Sequence, residues 1–417
     1  MTGTRADESA TRDAEGRAAV SEALERPDVR NPLRALAEGE LGSVRVLLAL
    51  ALIWAIFQIK VQGGIYLDPQ NLTNLSLQIA AVGTVSIGIV LILLLGEIDL
   101  SVGSVAGLCA SIAAVLSVKN GWDPKLAIVA AIAAGTAIGL FHGLIVTFFG
   151  IPSFVVTLAG LIAWQGAQLK VLGATGTINL PTPGTITDLA NTYYSKSVGW
   201  IIALITIGAY VASALYGRRA RIAAGLEPGD IRLFIGRMVV VAAAILLTIG
   251  VVFNRHRGVP LSPLIFVSLV AIFAFITERT LFGRHIFAVG GNEEAARRAG
   301  IKTMRIKVAV FMLASSLAAV GGILLAARNL SVGQSTPSSD FLLLAIAGPV
   351  VAGVSLFGGR GTVWAALLGG LVMGSISNGM DLLALQAADK FMITGGVLLA
   401  AVVLDAATSR RRKAVTR

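Results

Sequence analysis

The stretch 89-IVLILLLGEIDLSVGS-104 joins an unbroken apolar run to a polar break and then to the start of another apolar run. Apolar runs of about 20 residues predict helices that span a membrane. The break carries two carboxylates, Glu97 and Asp99. A carboxylate near a bilayer core is costly and usually lines a cavity or pairs with a cation, so Glu97 is a candidate functional residue. Asp99 and Ser101 are good helix-capping residues, and we expect them to cap the next helix.

Composition places most of the chain in lipid. Of 417 residues, 55% are apolar and only 14% are charged, and the mean hydropathy is +0.81. Soluble domains carry about 25% charged residues. The net charge of +11 does not indicate a nucleic-acid partner, because the basic residues cluster in the breaks between apolar runs, as membrane topology requires. The single cysteine, Cys109, excludes an internal disulfide and is expected to be a buried thiol.

The apolar pattern predicts an all-α, polytopic bundle of about ten to twelve transmembrane helices. Gly and Pro interrupt many of the runs, which a packed bundle tolerates because neighbouring helices satisfy the freed backbone groups. A short segment flanking 96–104 or 356–361 is a candidate for a re-entrant segment. The twelve predicted spans are 44–59, 71–95, 100–118, 126–148, 153–172, 198–216, 238–254, 262–278, 307–327, 341–356, 361–380 and 391–405.

The distribution of basic residues predicts the orientation and the domain limits. With both termini inside and twelve crossings, 25 of the 34 Lys and Arg residues fall on the cytoplasmic side, which is the bias that sets topology. We therefore expect a disordered cytoplasmic arm over 1–43, a transmembrane domain over 44–405 with a cytoplasmic loop over 279–306, and a basic cytoplasmic tail over 406–417. The longest outer loop, 173–197, is either a partner-facing surface or a plain connector.

The two halves of the chain resemble one another. The first half reads 98-IDLSVG-103, 139-GLFHGL-144 and 154-FVVTLAG-160, and the second reads 354-VSLFGG-359, 374-GSISNGM-380 and 391-FMITGG-396. Order and approximate spacing agree once a small insertion follows Gly359. Internal repeats are a feature of transporters, in which the substrate path lies at the repeat interface. Chance similarity between glycine-rich apolar segments is the alternative. A true repeat makes Asp99 and Ser355 equivalent positions.

The segment 292-NEEAARRAG-300 predicts a very short helix with strong end signals. Asn292 suits the N-cap, and Glu293 and Glu294 suit the positive end of the helix dipole. Arg297 and Arg298 are spaced for Glu–Arg pairs, and Gly300 suits the position just after the helix. Because so few residues do not form a stable helix in water, we expect this segment to dock on its own membrane domain or on another protein. A solvated loop with capped ends is the alternative.

Motifs for catalysis are missing from the sequence. The dipeptide Gly-Lys never occurs, so the chain lacks the phosphate-binding loop of many ATPases. The three histidines, His142, His256 and His285, are scattered and show no metal-ligand spacing. We expect no catalytic residue, no cofactor-binding residue and no metal site, and hence no enzyme. His142 is expected to be a packed or pore-lining residue.

These motifs together resemble the membrane permease subunits of bacterial ATP-binding-cassette (ABC) importers for monosaccharides, of the ribose and xylose type. The resemblance covers about residues 44–405. Extra material at 218–260 is similar to the longer xylose-type permeases and favours D-xylose or another pentose. The motifs that carry the resemblance are 96-GEIDLSVGS-104, 150-GIPSFVVTLAG-160, 281-LFGRHIFAVGGNEEAARRAGI-301 and 355-SLFGGRGTVWAALLGGLVMGSISNGMDLL-383.

The resemblance implies a multi-pass protein of the bacterial inner or plasma membrane, working as a homodimer. Its implied partners are a cytoplasmic ABC ATPase subunit, which uses the ATP, and a periplasmic or lipid-anchored sugar-binding protein; nucleic acid is not among them. The implied coupling helix, which docks on the ATPase, comprises Gly290, Gly291, Asn292, Glu293, Glu294, Ala295, Arg297, Arg298 and Gly300. Candidate residues of the translocation path are Glu97, Asp99, Ser101, Phe154, Ser377, Asn378 and Asp381.

Two other classes of transporter remain open on the sequence. One is an ABC permease for another small solute, such as a branched-chain amino acid, a nucleoside or a signalling sugar. The other is a secondary carrier, in which Glu97 and Asp99 bind a proton or a sodium ion during transport. A secondary carrier leaves the short capped helix at 292–300 unexplained.

Overall fold

A computed structural model describes residues 41–226, 230–337 and 339–415. The described residues from Val46 onward belong to one compact unit, the helical bundle. The predicted disordered arm, 1–43, lies outside the described residues apart from its last three, which are helical. Helix also continues through most of the predicted tail, as far as Val415.

The described part is almost entirely helical, as the apolar pattern predicts, and a helix lies at each of the twelve predicted spans. Short 3-10 turns at Gln62–Leu67 and Gly173–Thr175 and π-helical turns at Val115–Lys119 and Thr248–Phe253 join or extend the α-helices. The α-helices are α1 (Leu41–Lys60), α2 (Pro69–Leu94), α3 (Val102–Ala114), α4 (Pro124–Phe149), α5 (Ser153–Leu172), α6 (Thr185–Asn191), α7 (Lys196–Ala223), α8 (Ile231–Leu247), α9 (Leu261–Arg279), α10 (Leu281–Gly291), α11 (Glu293–Arg298), α12 (Thr303–Asn329), α13 (Ser339–Val351), α14 (Trp364–Leu382) and α15 (Ala387–Val415).

Within the described residues, eight helices are long and apolar enough to cross a membrane, fewer than the twelve predicted crossings. They are α2, α3 with its π-helical turn, α4, α5, α7, α8, α9 and α12. Helix α13 has 13 residues and contains Pro349. At 1.5 Å per residue it is about 20 Å long, shorter than the roughly 30 Å hydrocarbon core. This length agrees with a re-entrant segment before 356–361.

Two short antiparallel ladders tie the connecting segments together. Strand β1 (Thr177–Asn179) pairs with β4 (Ser331–Gly333), and the central pair, Ile178 and Val332, is buried. Strand β2 (Tyr193–Tyr194) pairs with β3 (Val259–Pro260). The predicted outer loop at 173–197 is therefore structured, with β1, β2 and the short helix α6 within it.

Helix α12 lies at the centre of the bundle, packed against α2, α3 and α4. Small residues let these backbones approach closely, which is how helices associate in lipid. A Cβ added at Gly322 would lie 2.1 Å from the Ala106 carbonyl oxygen, and one at Gly139 would lie 2.3 Å from the Phe311 carbonyl oxygen. Cys109 is fully buried in this core, as expected.

Helices α7 and α8, in contrast, are exposed over most of their surface. They pack mainly on each other and on the turn after α8, around a small cluster of Ala203, Ile249, Phe253 and Val259. They contain most of the extra material at 218–260, which is a peripheral addition to the central bundle.

Candidate functional site

The break between α2 and α3 begins at Gly96, whose φ of +76° suits glycine. The break's backbone is attached to the start of α5. The Ser153 hydroxyl accepts a hydrogen bond from the Ile98 amide at 3.0 Å, and the Thr157 hydroxyl accepts one from the Leu100 amide at 3.1 Å. These bonds satisfy two amides of the irregular segment, which would otherwise be unpaired in an apolar surrounding.

Glu97, the first carboxylate of the break, pairs with a cation, which is one of the two outcomes that the sequence left open. Lys307 Nζ, on α12, lies 2.7 Å from Glu97 Oε1 and 2.7 Å from Glu293 Oε2. The Lys307 and Glu97 side chains are only 12% and 15% exposed. We call this group of Glu97, Lys307 and Glu293 the charge clasp. It joins the α2–α3 break to the first residue of α11.

Next to the charge clasp, three backbone segments meet at glycines. The Gly359 amide donates to the Leu94 carbonyl at 2.9 Å. A Cβ added at Gly290 would lie 1.8 Å from that same carbonyl oxygen, and one at Gly358 would lie 2.8 Å from the Gly96 nitrogen. This glycine junction, Gly96, Gly290, Gly358 and Gly359, brings together the α2–α3 break, the end of α10 and the loop between α13 and α14.

Helix α11 has the end signals that the sequence predicts. The Asn292 side chain accepts a hydrogen bond from the Ala295 amide at 2.9 Å, and Gly300 has a φ of +84°. Glu294 pairs with Arg298, Nε to Oε1 at 3.1 Å, and with Arg297. The expected Glu–Arg pairs are thus confirmed at Glu294, whereas Glu293 pairs with Lys307.

Only one side chain of α11, Ala296, is buried. The side chains of Arg297 and Arg298 are 68% and 79% exposed. The predicted coupling residues form one continuous segment, from the end of α10 at Gly290 and Gly291 to Gly300, whose outward side chains are Arg297, Arg298 and their partner Glu294.

Asp99 and Ser101 are both buried, and the prediction that their side chains cap α3 is wrong. Asp99 Oδ1 accepts hydrogen bonds from the Ser101 amide at 2.8 Å and the Ser101 hydroxyl at 2.6 Å. Ser101 precedes the first helical residue but makes no side-chain capping bond, because its hydroxyl is committed to Asp99. Asp99 Oδ2 is buried and has no hydrogen-bond partner within the described residues.

A hydrogen-bonded chain extends from Asp99 across α4 to α5. The Trp164 indole nitrogen donates to His142 Nε2 at 2.9 Å, so a neutral His142 carries its proton on Nδ1. That Nδ1 lies 3.4 Å from the Ser101 hydroxyl. His142 is 1% exposed, which confirms it as a packed residue. The chain Asp99–Ser101–His142–Trp164 holds the break against the helices beside it.

The two positions that the repeat makes equivalent share a local hydrogen-bond pattern. Asp99 accepts from the amide two residues ahead, that of Ser101, and Ser355 Oγ accepts from the amide two residues ahead, that of Phe357, at 3.2 Å. Both lie in breaks between a helix end and a helix start, and the two breaks meet at the glycine junction.

Phe154, at the start of α5, lies beside this region, and the other three path candidates lie apart from it. Phe154 is half-exposed on α5. Ser377 and Asn378 lie on the half of α14 nearer its C-terminus, and Asn378 exchanges two side-chain hydrogen bonds with Asn71 of α2, at 2.9 and 3.1 Å. Asp381 pairs with Lys390 at 2.5 Å and is half-exposed. The structure therefore separates the seven candidates into at least two groups.

The end of the bundle that holds Asn378 is fixed by two further polar contacts. The Tyr66 hydroxyl donates to the Ser375 carbonyl at 2.9 Å, and the Trp54 indole nitrogen donates to the Ser375 hydroxyl at 2.9 Å. Burial raises the pKa of Tyr66, so its hydroxyl stays protonated and remains a donor. These long-range contacts attach α1 and the turn after it to α14.

Sequence reasoning missed several of these residues, above all Lys307, Trp164 and Asn71. Their partners are remote in sequence, so no local pattern points to them. The one available signal was that Lys307 is the last of three closely spaced basic residues, next to the start of a long apolar run. In the described part of the chain, no group of three His, Cys, Asp or Glu residues is arranged to hold a metal ion.

The long apolar helices define the class of protein, a multi-pass membrane protein. The family model described as the branched-chain amino acid transport system / permease component matches residues 71–402. The chain belongs to this family, whose members are inner-membrane permeases.

Individual relatives support the same assignment. The xylose transport system permease protein XylH of Escherichia coli strain K12 is 36% identical over 370 residues, which cover 88% of this chain and 93% of the relative. XylH of Haemophilus influenzae is 36% identical over 368 residues, 88% and 96% of the two chains. The ribose import permease protein RbsC of Bacillus subtilis is 29% identical over 357 residues, 85% and 91% of the two chains. No solved structure matches.

Proposed function

We propose that this chain is the permease subunit of an ABC importer for a monosaccharide, with D-xylose as the first candidate. The observation that carries the proposal is the 36% identity to a xylose transport permease over 370 residues, nearly the full length of both chains. Relatives named for ribose, L-arabinose and D-allose are less similar, at 27–29% identity over comparable lengths.

In the proposed assembly this chain binds no nucleotide and no cofactor. A separate cytoplasmic ATPase subunit uses the ATP, a second copy of the permease completes the path, and a binding protein outside delivers the sugar. Two features support an external ATPase. The sequence has no phosphate-binding loop, and α11 presents the exposed side chains of Arg297 and Arg298, which suit docking in a partner's cleft.

The charge clasp connects α11 directly to the membrane domain. Glu293 is the first residue of α11, and Lys307 connects it to Glu97 in the α2–α3 break. The glycine junction adds the loop between α13 and α14 to the same contact. Movement of a docked α11 therefore acts on both breaks at once, as rigid-body switching between outward and inward access requires.

Uptake in cells tests the substrate. The chain is produced together with its own ATPase and binding protein in bacteria that lack xylose transporters, and uptake of labelled D-xylose, D-ribose, L-arabinose and L-leucine is measured. We expect D-xylose to accumulate fastest. Accumulation of L-leucine without any sugar would contradict the proposal. Faster accumulation of D-ribose or L-arabinose than of D-xylose would change the proposed sugar but not the proposed class, a monosaccharide importer.

A further inference from the structure

The end of the bundle farthest from α11 contains a polar cavity of about 310 Å³. Helix α11 lies just before the start of α12, whereas the cavity is formed at the end of α12. With 1.5 Å rise per residue, the 27 residues of α12 separate the two by roughly 40 Å. If α11 faces the cytoplasmic ATPase, as in the proposed function, the cavity opens on the outer side. Its walls are Asn74, Leu77, Ala190, Asn191, Arg328 and Asn329.

The cavity wall is rich in hydrogen-bonding groups that are still available. Arg328 donates to Asn74 Oδ1 at 3.3 Å, and the Asn191 side chain donates to the Thr187 carbonyl at 2.9 Å. The Asn74 amide NH₂, the Asn191 side-chain oxygen and the whole Asn329 side-chain amide make no hydrogen bond within the described part of the chain. Amides offer both donors and acceptors, and the guanidinium offers several donors.

A row of amide side chains leads from this cavity along α2. Asn71, Asn74 and Gln78 are spaced by three and four residues, so they lie on one face of the helix. Gln78 lines a smaller cleft of about 30 Å³ between α2 and α14, with Ser377 on its other wall. Asn71 holds Asn378. The cavity therefore shares one face of α2 with the residues that contact or face Ser377 and Asn378, two of the candidate path residues.

From these observations we infer that the cavity is an outer binding site for a neutral monosaccharide, occupied before the sugar enters the membrane path. This inference rests on the proposed function and states where in the chain the sugar first binds. Each sugar hydroxyl is both a donor and an acceptor, which amide side chains match, and the volume is at the lower end of the range for small-molecule sites. Leu77 and Ala190 supply an apolar surface for the carbon face of the ring.

The charges of the wall favour a neutral sugar over an amino acid. Arg328 is the one cationic residue in the wall, and no wall residue is a carboxylate. An amino-acid zwitterion would therefore place its ammonium group in the cavity without an anionic partner.

Cysteine labelling tests whether a sugar occupies the cavity. The natural Cys109 is fully buried, so the wild-type chain serves as the unlabelled control. Asn329→Cys is made in the full complex in cells and treated with a membrane-impermeant maleimide, with and without D-xylose or L-leucine. Asn179→Cys, exposed in β1 and outside the cavity wall, is the matched control. We expect Asn329→Cys to label from outside and D-xylose alone to slow its labelling at least about fivefold.

Other outcomes would overturn the inference. Equal protection by L-leucine would exclude a sugar-selective site, and no protection by either ligand would exclude the site altogether. The site would also be excluded if Asn329→Cys did not react with the maleimide while Asn179→Cys did. Sugar uptake by the wild-type chain is measured in the same cells. If the chain takes up sugar but the cavity results are negative, only this inference is wrong; if it takes up no sugar, the proposed function is wrong.

A second variant measures the contribution of the site to transport. Arg328→Gln removes the charged donor and is expected to lower the maximal rate of D-xylose uptake about tenfold, which corresponds to one or two lost hydrogen bonds. Lys170→Gln, which changes an exposed lysine of α5 outside the cavity, should leave that rate unchanged. Equal rates in the two variants, at equal amounts of protein in the membrane, would overturn the inference.

Discussion

At the scale of single residues, Lys307 is the most informative side chain. It is nearly buried and contacts two carboxylates from different parts of the chain, Glu97 and Glu293. Removing a cation from such a group leaves a poorly solvated carboxylate without a partner, which costs more than the pair itself contributes. The charge clasp therefore has a stability role and, under the proposed function, a coupling role.

Lys307→Met is expected to destabilise the protein by about 1–3 kcal/mol, since it leaves the Glu97 carboxylate unpaired. The midpoint of thermal unfolding in detergent measures the loss. Lys307→Arg should keep most of the stability, and Glu97→Gln combined with Lys307→Met should recover part of it. Lys302→Met, at an exposed lysine near the start of the same helix, is the control. An unchanged midpoint for Lys307→Met would show that the charge clasp contributes nothing.

Local residue roles were predictable where the partner is close in sequence. Asn292 and Gly300 were identified as the two ends of α11 because capping depends on groups three or four residues away. For Glu97 the kind of partner was predictable but not its identity, because Lys307 is more than 200 residues distant. Ser101 lies at the N-cap position, but neither it nor Asp99 caps α3 with its side chain, because the Ser101 hydroxyl and Asp99 Oδ1 bond to each other.

At the scale of elements, α11 is a helix of six residues that is too short to be stable by itself. It persists because Ala296 is buried, Asn292 caps it, and Lys307 holds Glu293. Its exposed arginines make no contact that the fold needs beyond the pairs with Glu294. The structure thus separates residues that hold α11 in place from residues that are free to contact a partner.

Arg297→Glu is expected to lower the unfolding midpoint only slightly, because it replaces an exposed pair with Glu294 by two like charges. We expect it to reduce ATP-driven uptake at least about tenfold, because the changed side chain would face the ATPase. Uptake and ATP hydrolysis are measured in membranes that contain the full complex. Arg219→Glu, at another exposed arginine on the predicted cytoplasmic side, serves as the matched control. If both variants transported normally, α11 would not be the coupling segment.

Helix positions were predictable from the sequence because the apolar runs are long and their ends carry Pro, Gly or charged residues. The path of each apolar run was less predictable, because the run gives the amount of hydrophobic chain but not its course through the membrane. Helix α13 is an example, since its 13 residues contain Pro349.

At the scale of the whole molecule, the bundle depends on close helix packing around α12. Gly322, Gly139 and Gly88 each lie against the backbone of a neighbouring helix, within 3 Å of it for an added Cβ. Backbone atoms cannot rotate away as a side-chain end can, so a larger residue must separate the helices. In lipid, van der Waals packing of this kind is a main source of stability between helices.

Gly322→Val is expected to destabilise the bundle by about 3 kcal/mol or more, because the new side chain meets the Ala106 carbonyl. Gly166→Val, on α5 with open space around it, is the control and should have little effect beyond helix propensity. The yield of monodisperse protein after extraction in mild detergent measures both. Equal yields would show that α12 does not pack on α3 as closely as described.

The central claim is that this membrane domain moves sugar with energy from a separate ATPase. Proteoliposomes that contain the chain with its ATPase, with binding protein and labelled D-xylose on one side and ATP on the other, test it most directly. We expect ATP-dependent sugar accumulation that stops when the ATPase is omitted. Accumulation by the chain alone, driven by a proton or sodium gradient, would contradict the claim.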